Sequence, residues 1–258
     1  MIPAHTRTEI LHRLRAAEDQ HRVQVLLAVE SGSRAWGFDS PNSDFDVRFI
    51  YVHHRDWYLS IDEQRDVIEY PIVDELDLNG WELRKALRLF RSSNPAFVEW
   101  ISSPIVYLEH GPFAAACRHR LPEIYSCQRG IHHYRSMAKT NYRSHLLGEQ
   151  VSLKKYFYVL RPLLSVRWLE THGTPAPIEF DKLLSLIAGQ TDLIDAIQNL
   201  LARKRAAPES GLAPRIARIH AFIEAELERV AVLPLESEKP QNDATGRLNA
   251  LFMQCLPE

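Results

Sequence analysis

The stretch that decides the fold is Glu30–Val52, "ESGSRAWGFDSPNSDFDVRFIYV". It joins two apolar runs, "RVQVLLAVE" and "DVRFIYV", through a segment rich in glycine, serine and proline, so it reads as strand, turn, strand. At the mouth of the second strand stand two aspartates, Asp44 and Asp46, two residues apart. A core strand gains nothing from carboxylates there; they either lie at a solvated edge or hold something cationic. Side chains alternate along a strand, so Asp44 and Asp46 share one face while Phe45, Val47 and Phe49 take the other. Two carboxylates roughly 7 Å apart at Cα repel each other and raise each other's pKa unless a cation lies between them. Mg²⁺ removes that cost, and it also bridges carboxylates to phosphates. Upstream, Gly32 and Ser33 follow the first strand directly. A glycine lets backbone N–H groups approach an anion with no Cβ in the way, and the serine adds a hydroxyl.

Outward from this stretch, a helix is expected over about 7–20, with Ile10, Leu11, Leu14 and Ala17 as its apolar stripe. "DVIEYPIVDELDL" offers one or two extended segments broken at Pro71. Asn79 and Glu82 read as a capping pair opening the next helix, whose stripe is Leu83, Ala86, Leu87 and Phe90. After about Gly111 helical periodicity dominates, in segments at about 131–147, 151–171, 179–187, 191–205 and 214–231. The expected organisation is therefore a strand-containing domain over 1–111 and a helical domain over 112–258.

Composition bounds the function. The chain has 258 residues with 45% hydrophobic and 25% charged, as in ordinary globular proteins. Its formal net charge of -2 argues against a whole-protein footprint for nucleic acid while leaving room for a local basic groove. The N-terminus lacks a signal-peptide core and no apolar run reaches the roughly 20 residues of a membrane span. Cys117, Cys127 and Cys255 form no CxxC pair, which suits a reducing cytoplasm and disfavours zinc.

The sequence resembles the DNA polymerase beta-like nucleotidyltransferase superfamily in its strand, Gly32-Ser33, spacer and Asp44-x-Asp46. It resembles most the RNA-ligase-associated branch of that superfamily, through "GSRAWGFDSPNSDFDVRFIYV", "DLNGWELRKALRLFRSSNP", "EWISSPIVY", "HHYRSMAKTNY" and "KKYFYVLRPLLSVRWLE". The resemblance implies an α+β fold: a small mixed β-sheet nucleotidyltransferase core with flanking helices, then an all-helical C-terminal domain completing the nucleotide and acceptor cleft. It implies transfer of a nucleoside monophosphate from an NTP such as ATP to a hydroxyl of an acceptor, an RNA end or a small molecule. It also implies Mg²⁺ (or Mn²⁺) as cofactor on Asp44, Asp46 and a third carboxylate, with RNA repair beside an RNA ligase as the setting.

Asp74, Glu75 and Asp77 are the candidates for the third carboxylate. Asp77 is preferred because it ends the extended segment just before the capped helix and alternates with Leu76 and Leu78; Glu75, which shares its face, is the runner-up. Arg34 is a candidate phosphate contact, and Arg48 shares the strand face of Asp44 and Asp46 as an ion-pair partner. Lys154, Tyr158, Arg161 and Ser165 fall on one helical face, and the first three are assigned to the triphosphate. Trp36 and Phe38 read as packing rather than as a base platform. A catalytically idle nucleotide-binding sensor or antitoxin-like module with the same fold is the alternative.

Overall fold

The computed structural model describes residues 2–206, 212–234 and 244–257. The chain opens with α1 (Ala4–His21), β1 (Val23–Glu30), the short α2 (Gly32–Trp36) and β2 (Phe45–His53). After a 3-10 turn at Arg55–Leu59 come β3 (Val67–Glu69), β4 (Leu76–Glu82), α3 (Leu83–Arg91), α4 (Pro95–Ile101), β5 (Val106–Glu109) and α5 (Phe113–Ile124). There follow α6 (Cys127–His145), β6 (Gln150–Ser152), α7 (Lys155–His172), α8 (Phe180–Leu184), α9 (Thr191–Ala206), β7 (Leu212–Pro214), α10 (Ala217–Ala231) and α11 (Ala244–Cys255).

Two units divide these elements. The first takes the chain up to Ala35, Asp44–Tyr125 and α11; the second takes Trp36–Ser43 and the chain from Ser126 through α10. The sequence boundary at 111 thus falls one helix early. Phe113, Ala114 and Cys117 on α5, and Leu248 and Leu251 on α11, bury their apolar stripe with Leu83, Phe90 and Phe97 of the first unit. A helix joins whichever core its stripe fits, and residue number does not decide it.

The first unit is a mixed five-stranded sheet in the order β3-β4-β2-β1-β5. β2 runs antiparallel to β1 and parallel to β4, while β3 and β5 are antiparallel edges. Alternation along β2 sends Phe45, Val47, Phe49 and Tyr51 to a core shared with Ile10 and Leu14 of α1. It sends Ile50 and Val52 to the opposite core, beneath α3, α4, α5 and α11. A bulge between Val25 and Leu27 lets both Leu26 and Leu27 join that second core. Arg7 fastens α1 to β5 by donating to the carbonyls of Val106 (2.8 Å) and Tyr107 (3.1 Å).

The expected Asn79–Glu82 capping pair is corrected. β4 runs through Glu82, its parallel pairing with β2 continuing to Tyr51↔Glu82, and Asn79 sits mid-strand with its amide on Glu69. Glu82 is itself the N-cap, its carboxylate accepting from the N–H groups of Arg84 (2.8 Å) and Lys85 (3.1 Å). The reading of Gly32 and Ser33 as part of a plain turn is also corrected, since these residues open α2.

Among its described residues the second unit is helical apart from the antiparallel ribbon β6–β7, a departure from the all-helical expectation. Leu160, Leu163 and Leu164 of α7, Leu183 of α8, Leu193 and Ile197 of α9, and Ile223 of α10 are all fully buried. Among the described residues no helix is long and apolar enough to cross a membrane.

One pH response follows from the edge of the first unit. His53 stacks on Trp57 at 4.0 Å, and burial, aided by His21 and His54, pushes its pKa down from 6.5 to about 4. Between those values the unfolded chain binds the extra proton, so stability is lost as pH falls from 6.5 towards 4. His53→Phe, which keeps a ring against Trp57, is expected to flatten that part of the melting-temperature profile. An unchanged slope would contradict the assignment.

Candidate functional site

β1 ends in Glu30, which is 0% exposed, and the chain turns back so that Asp46 lies beside it. The Asp46 N–H donates to Glu30 Oε1 (2.9 Å), and the Ser31 N–H donates to the Asp46 carbonyl (2.8 Å). The Asp46 backbone is therefore held on both sides. A buried carboxylate needs partners, and Glu30 has a second one in the Tyr107 hydroxyl. Burial pushes the Glu30 pKa up to about 7, against the opposing pull of the hydrogen bonds from Tyr107 and Asp46. The same burial, with Glu30 beside it, drives the Tyr107 phenol up.

The second carboxylate comes from β4. Asp77 pairs with Asp46 in the parallel register, so both side chains leave the sheet on the same face at the start of their strands. Asp74 and Glu75, the other candidates, form the turn before β4 with φ of 54° and 63°. Asp74 is drawn away by Arg13 (2.9 Å), and Glu75 contributes its carbonyl to the N–H of Phe45 (2.7 Å). The sharp turn takes Glu75 out of the strand alternation that would have given it the face of Asp77.

Between the two carboxylates lies Arg48. Its Nη2 is 2.9 Å from Asp46 Oδ1 and 2.7 Å from Asp77 Oδ2, and its Nη1 donates to the Asp77 carbonyl at 2.9 Å. The space between the two carboxylates thus holds the guanidinium of Arg48. Asp44 precedes β2 and is exposed. Among the described residues no three His, Cys, Asp or Glu side chains are gathered to hold a metal ion. Asp46 and Asp77 are oxygen donors of the kind a hard divalent cation takes; Asp44, just before β2, is not gathered with them.

Gly32 completes this corner. Its φ is 59°, and a Cβ there would land on Asp46 Oδ2, with the carboxylate carbon 2.7 Å away. Only glycine lets the first turn of α2 approach so closely. Ser33 follows on that turn, half-buried. Arg34 Nε donates to the Asp44 carbonyl (3.2 Å), and its guanidinium lies 3.9 Å from the centre of the Phe45 ring.

The other sequence candidates belong to the second unit. Lys154 occupies the cap position before α7, and Lys155 Nζ lies 4.5 Å from the Tyr158 ring. Tyr158 packs edge-on against Trp36 (5.8 Å), and Arg161 is 4% exposed with its guanidinium 4.4 Å over the same indole. Phe38 is buried and stacked on Phe157 at 4.7 Å. Trp36 and Phe38 are therefore packing residues, as expected. The helical face is uneven, because Arg161 and Ser165 are buried while Tyr158 is not. Glu30 and Tyr107 escaped the sequence reading, although a glutamate ending the apolar run "VQVLLAVE" was a signal for Glu30.

A family model described as the RNA repair pathway DNA polymerase beta family matches residues 6–254. The chain belongs to this family. It is 46% identical over 249 residues to the uncharacterized protein YcgL of Bacillus subtilis (strain 168), covering 96% of each chain. Among solved structures it is similar to a nucleotidyltransferase-like protein from Exiguobacterium sibiricum 255-15. That likeness has 14% identity, 84% coverage of this chain, 72% of that one and a TM-score of 0.31, too distant to bear on the site. Membership in the RNA repair pathway DNA polymerase beta family agrees with the Gly32-Ser33 and Asp44-x-Asp46 pattern and with the mixed sheet that carries it.

Proposed function

We propose that the protein is a divalent-metal-dependent nucleotidyltransferase that moves a nucleoside monophosphate from an NTP to a hydroxyl of an RNA end. The observation that carries this reading is the in-register pair Asp46 and Asp77, two carboxylates on adjacent parallel strands bridged by a cationic group. Asp46 and Asp77, with Asp44 beside them, would hold Mg²⁺ (or Mn²⁺), and the metal would supply Lewis-acid stabilisation of charge on the transferring phosphoryl group. The chain's own share is positioning. Glu30 and Ser31 fix the Asp46 backbone, Gly32 clears the approach to its carboxylate, and Ser33 and Arg34 offer donors to phosphate oxygens. Lys154, Tyr158 and Arg161 stay part of the proposal as further contacts to the triphosphate. Incubation with each α-³²P-labelled NTP, Mg²⁺ and RNA is expected to label the RNA. Absence of label from every NTP and every RNA end tested counts against the reading.

One observation favours a second reading, an idle nucleotide-binding module. Arg48 already bridges the pair and offsets one of its two charges, and Asp44 stands apart from it. Removing the guanidinium separates the two. If a metal site lies between Asp46 and Asp77, Arg48→Gln is expected to tighten Mn²⁺ binding roughly tenfold by calorimetry, the equivalent of about 1.4 kcal/mol. Mn²⁺ affinity that stays absent or unchanged in Arg48→Gln supports the idle module.

A further inference from the structure

Two tyrosine–glutamate pairs are buried at opposite ends of the five-stranded sheet, and one of them has an evident structural task. Tyr58 donates to Glu82 Oε1 (2.6 Å), and the buried Glu82 carboxylate accepts the first N–H groups of α3. That pair is a helix cap with a hydroxyl brace. In the other pair the buried Tyr107 donates to Glu30 Oε2, and Glu30 Oε1 accepts the N–H of Asp46 (2.9 Å).

Glu30 is also fixed along its main chain. Its N–H donates to the Ile105 carbonyl (2.9 Å), and its carbonyl accepts from Ser103 Oγ (2.6 Å). Arg7 of α1 holds Tyr107 in turn, its guanidinium 5.5 Å from the ring centre. Groups from α1, β5 and the loop before β5 thus converge on one carboxylate, and that carboxylate ends on Asp46.

The fold alone does not call for this arrangement. Glu30↔Val47 closes the pairing of β1 with β2, so the N–H of Asp46 takes a side chain in place of a strand carbonyl. A neutral amide would accept the same hydrogen bond. A carboxylate in the interior is costly, and neither of its two hydrogen-bond partners carries a positive charge. Replacing buried charge by neutral groups commonly leaves a fold as stable as before, or more so. Groups kept against that cost concentrate at functional sites, and what Glu30 holds is the first carboxylate of the proposed site.

We propose that Glu30 and Tyr107 are positioning residues, acting through the main chain of Asp46 to hold its carboxylate in place. The proposal rests on the reading of Asp46 as a metal ligand. Glu30 is fully buried with both oxygens accepting hydrogen bonds, so it holds Asp46 without reaching the cation itself. The tolerance is narrow, because a Cβ on Gly32 would already overlap Asp46 Oδ2. A main-chain shift at Asp46 would drive that carboxylate towards α2 or away from Arg48.

The test compares Tyr107→Phe with Tyr58→Phe on the full chain. Two quantities are read: Mn²⁺ affinity by calorimetry, and the exchange rate of the Asp46 amide proton by NMR without metal. Each variant deletes one hydroxyl from a buried carboxylate and keeps the ring, so both are expected to lower the melting temperature. Tyr107→Phe is expected to weaken Mn²⁺ binding roughly 10–100-fold, the range for partners of metal-binding side chains. It is also expected to speed Asp46 exchange at least ~10-fold by local opening. Tyr58→Phe is expected to change neither, because Glu82 lies five residues along β4 from Asp77, roughly 17 Å away. Glu30→Gln, which keeps an acceptor for the Asp46 N–H, is expected to retain slow exchange, and Glu30→Leu to lose it. Equal changes in the two tyrosine variants, or none in Tyr107→Phe, reduce the pair to a structural brace and overturn the proposal. If the unaltered chain binds no Mn²⁺, the metal reading fails by itself. Asp46 exchange then decides: faster in Tyr107→Phe and Glu30→Leu alone, it supports the positioning; unchanged, it overturns it.

Discussion

Asp46→Asn is expected to reduce nucleotide transfer by at least ~10³-fold, about 4 kcal/mol of transition-state stabilisation, while leaving the fold intact. Asparagine is isosteric and keeps the backbone bonds to Glu30 and Ser31, since neither uses the side chain. What it removes is one of two charges facing Arg48, and the guanidinium retains Asp77 at 2.7 Å. Both partners are partly exposed, so the stability change is expected to stay within about 1 kcal/mol. Thermal melting beside label transfer separates the two effects. Asp77→Asn is expected to behave alike. Transfer that survives Asp46→Asn removes the carboxylate pair from the chemistry.

Gly32→Ala is expected to cost both stability and activity. The positive φ alone costs a β-carbon residue about 1–2 kcal/mol, and the new Cβ meets the Asp46 carboxylate. Moving that carboxylate by about 1 Å is expected to lower transfer roughly 100-fold. Gly37→Ala provides the internal comparison: its φ is 85°, yet nothing lies within 4 Å of its added Cβ. It should show the backbone strain in the melting temperature without a comparable loss of transfer. Equal activity losses in the two variants would mean that the approach of Gly32 to Asp46 is incidental.

Much of the fold was legible because local pattern and tertiary context agree. The run "RVQVLLAVE" reads as a buried strand and is one, and the alternation of Phe45, Val47 and Phe49 against Asp46 and Arg48 survives in the sheet. The failures have local causes too. Asn79–Glu82 carries both a capping signature and strand alternation, and parallel pairing with β2 decides for the strand. Pro122 inside "FAAACRHRLPEI" obscures the periodicity of α5.

For the site, sequence spacing gives which aspartates share a strand but not which strands are neighbours. The Asp46↔Asp77 register is a non-local fact, as is the bond from Asp46 to Glu30. Asp77 was preferred over Glu75 on alternation with Leu76 and Leu78. That alternation is present, although Asp77 starts β4 rather than ending it. The position of Arg48 was legible as a shared strand face; its seat between two carboxylates required the neighbouring strand.

The proposed divalent-cation site at Asp46 and Asp77 is tested most directly by the anomalous difference map of crystals soaked with Mn²⁺ and a non-hydrolysable NTP. The expected result is a manganese peak bridging the two carboxylates with the Arg48 guanidinium displaced. A map with no peak there and Arg48 still bonded to both aspartates would contradict it.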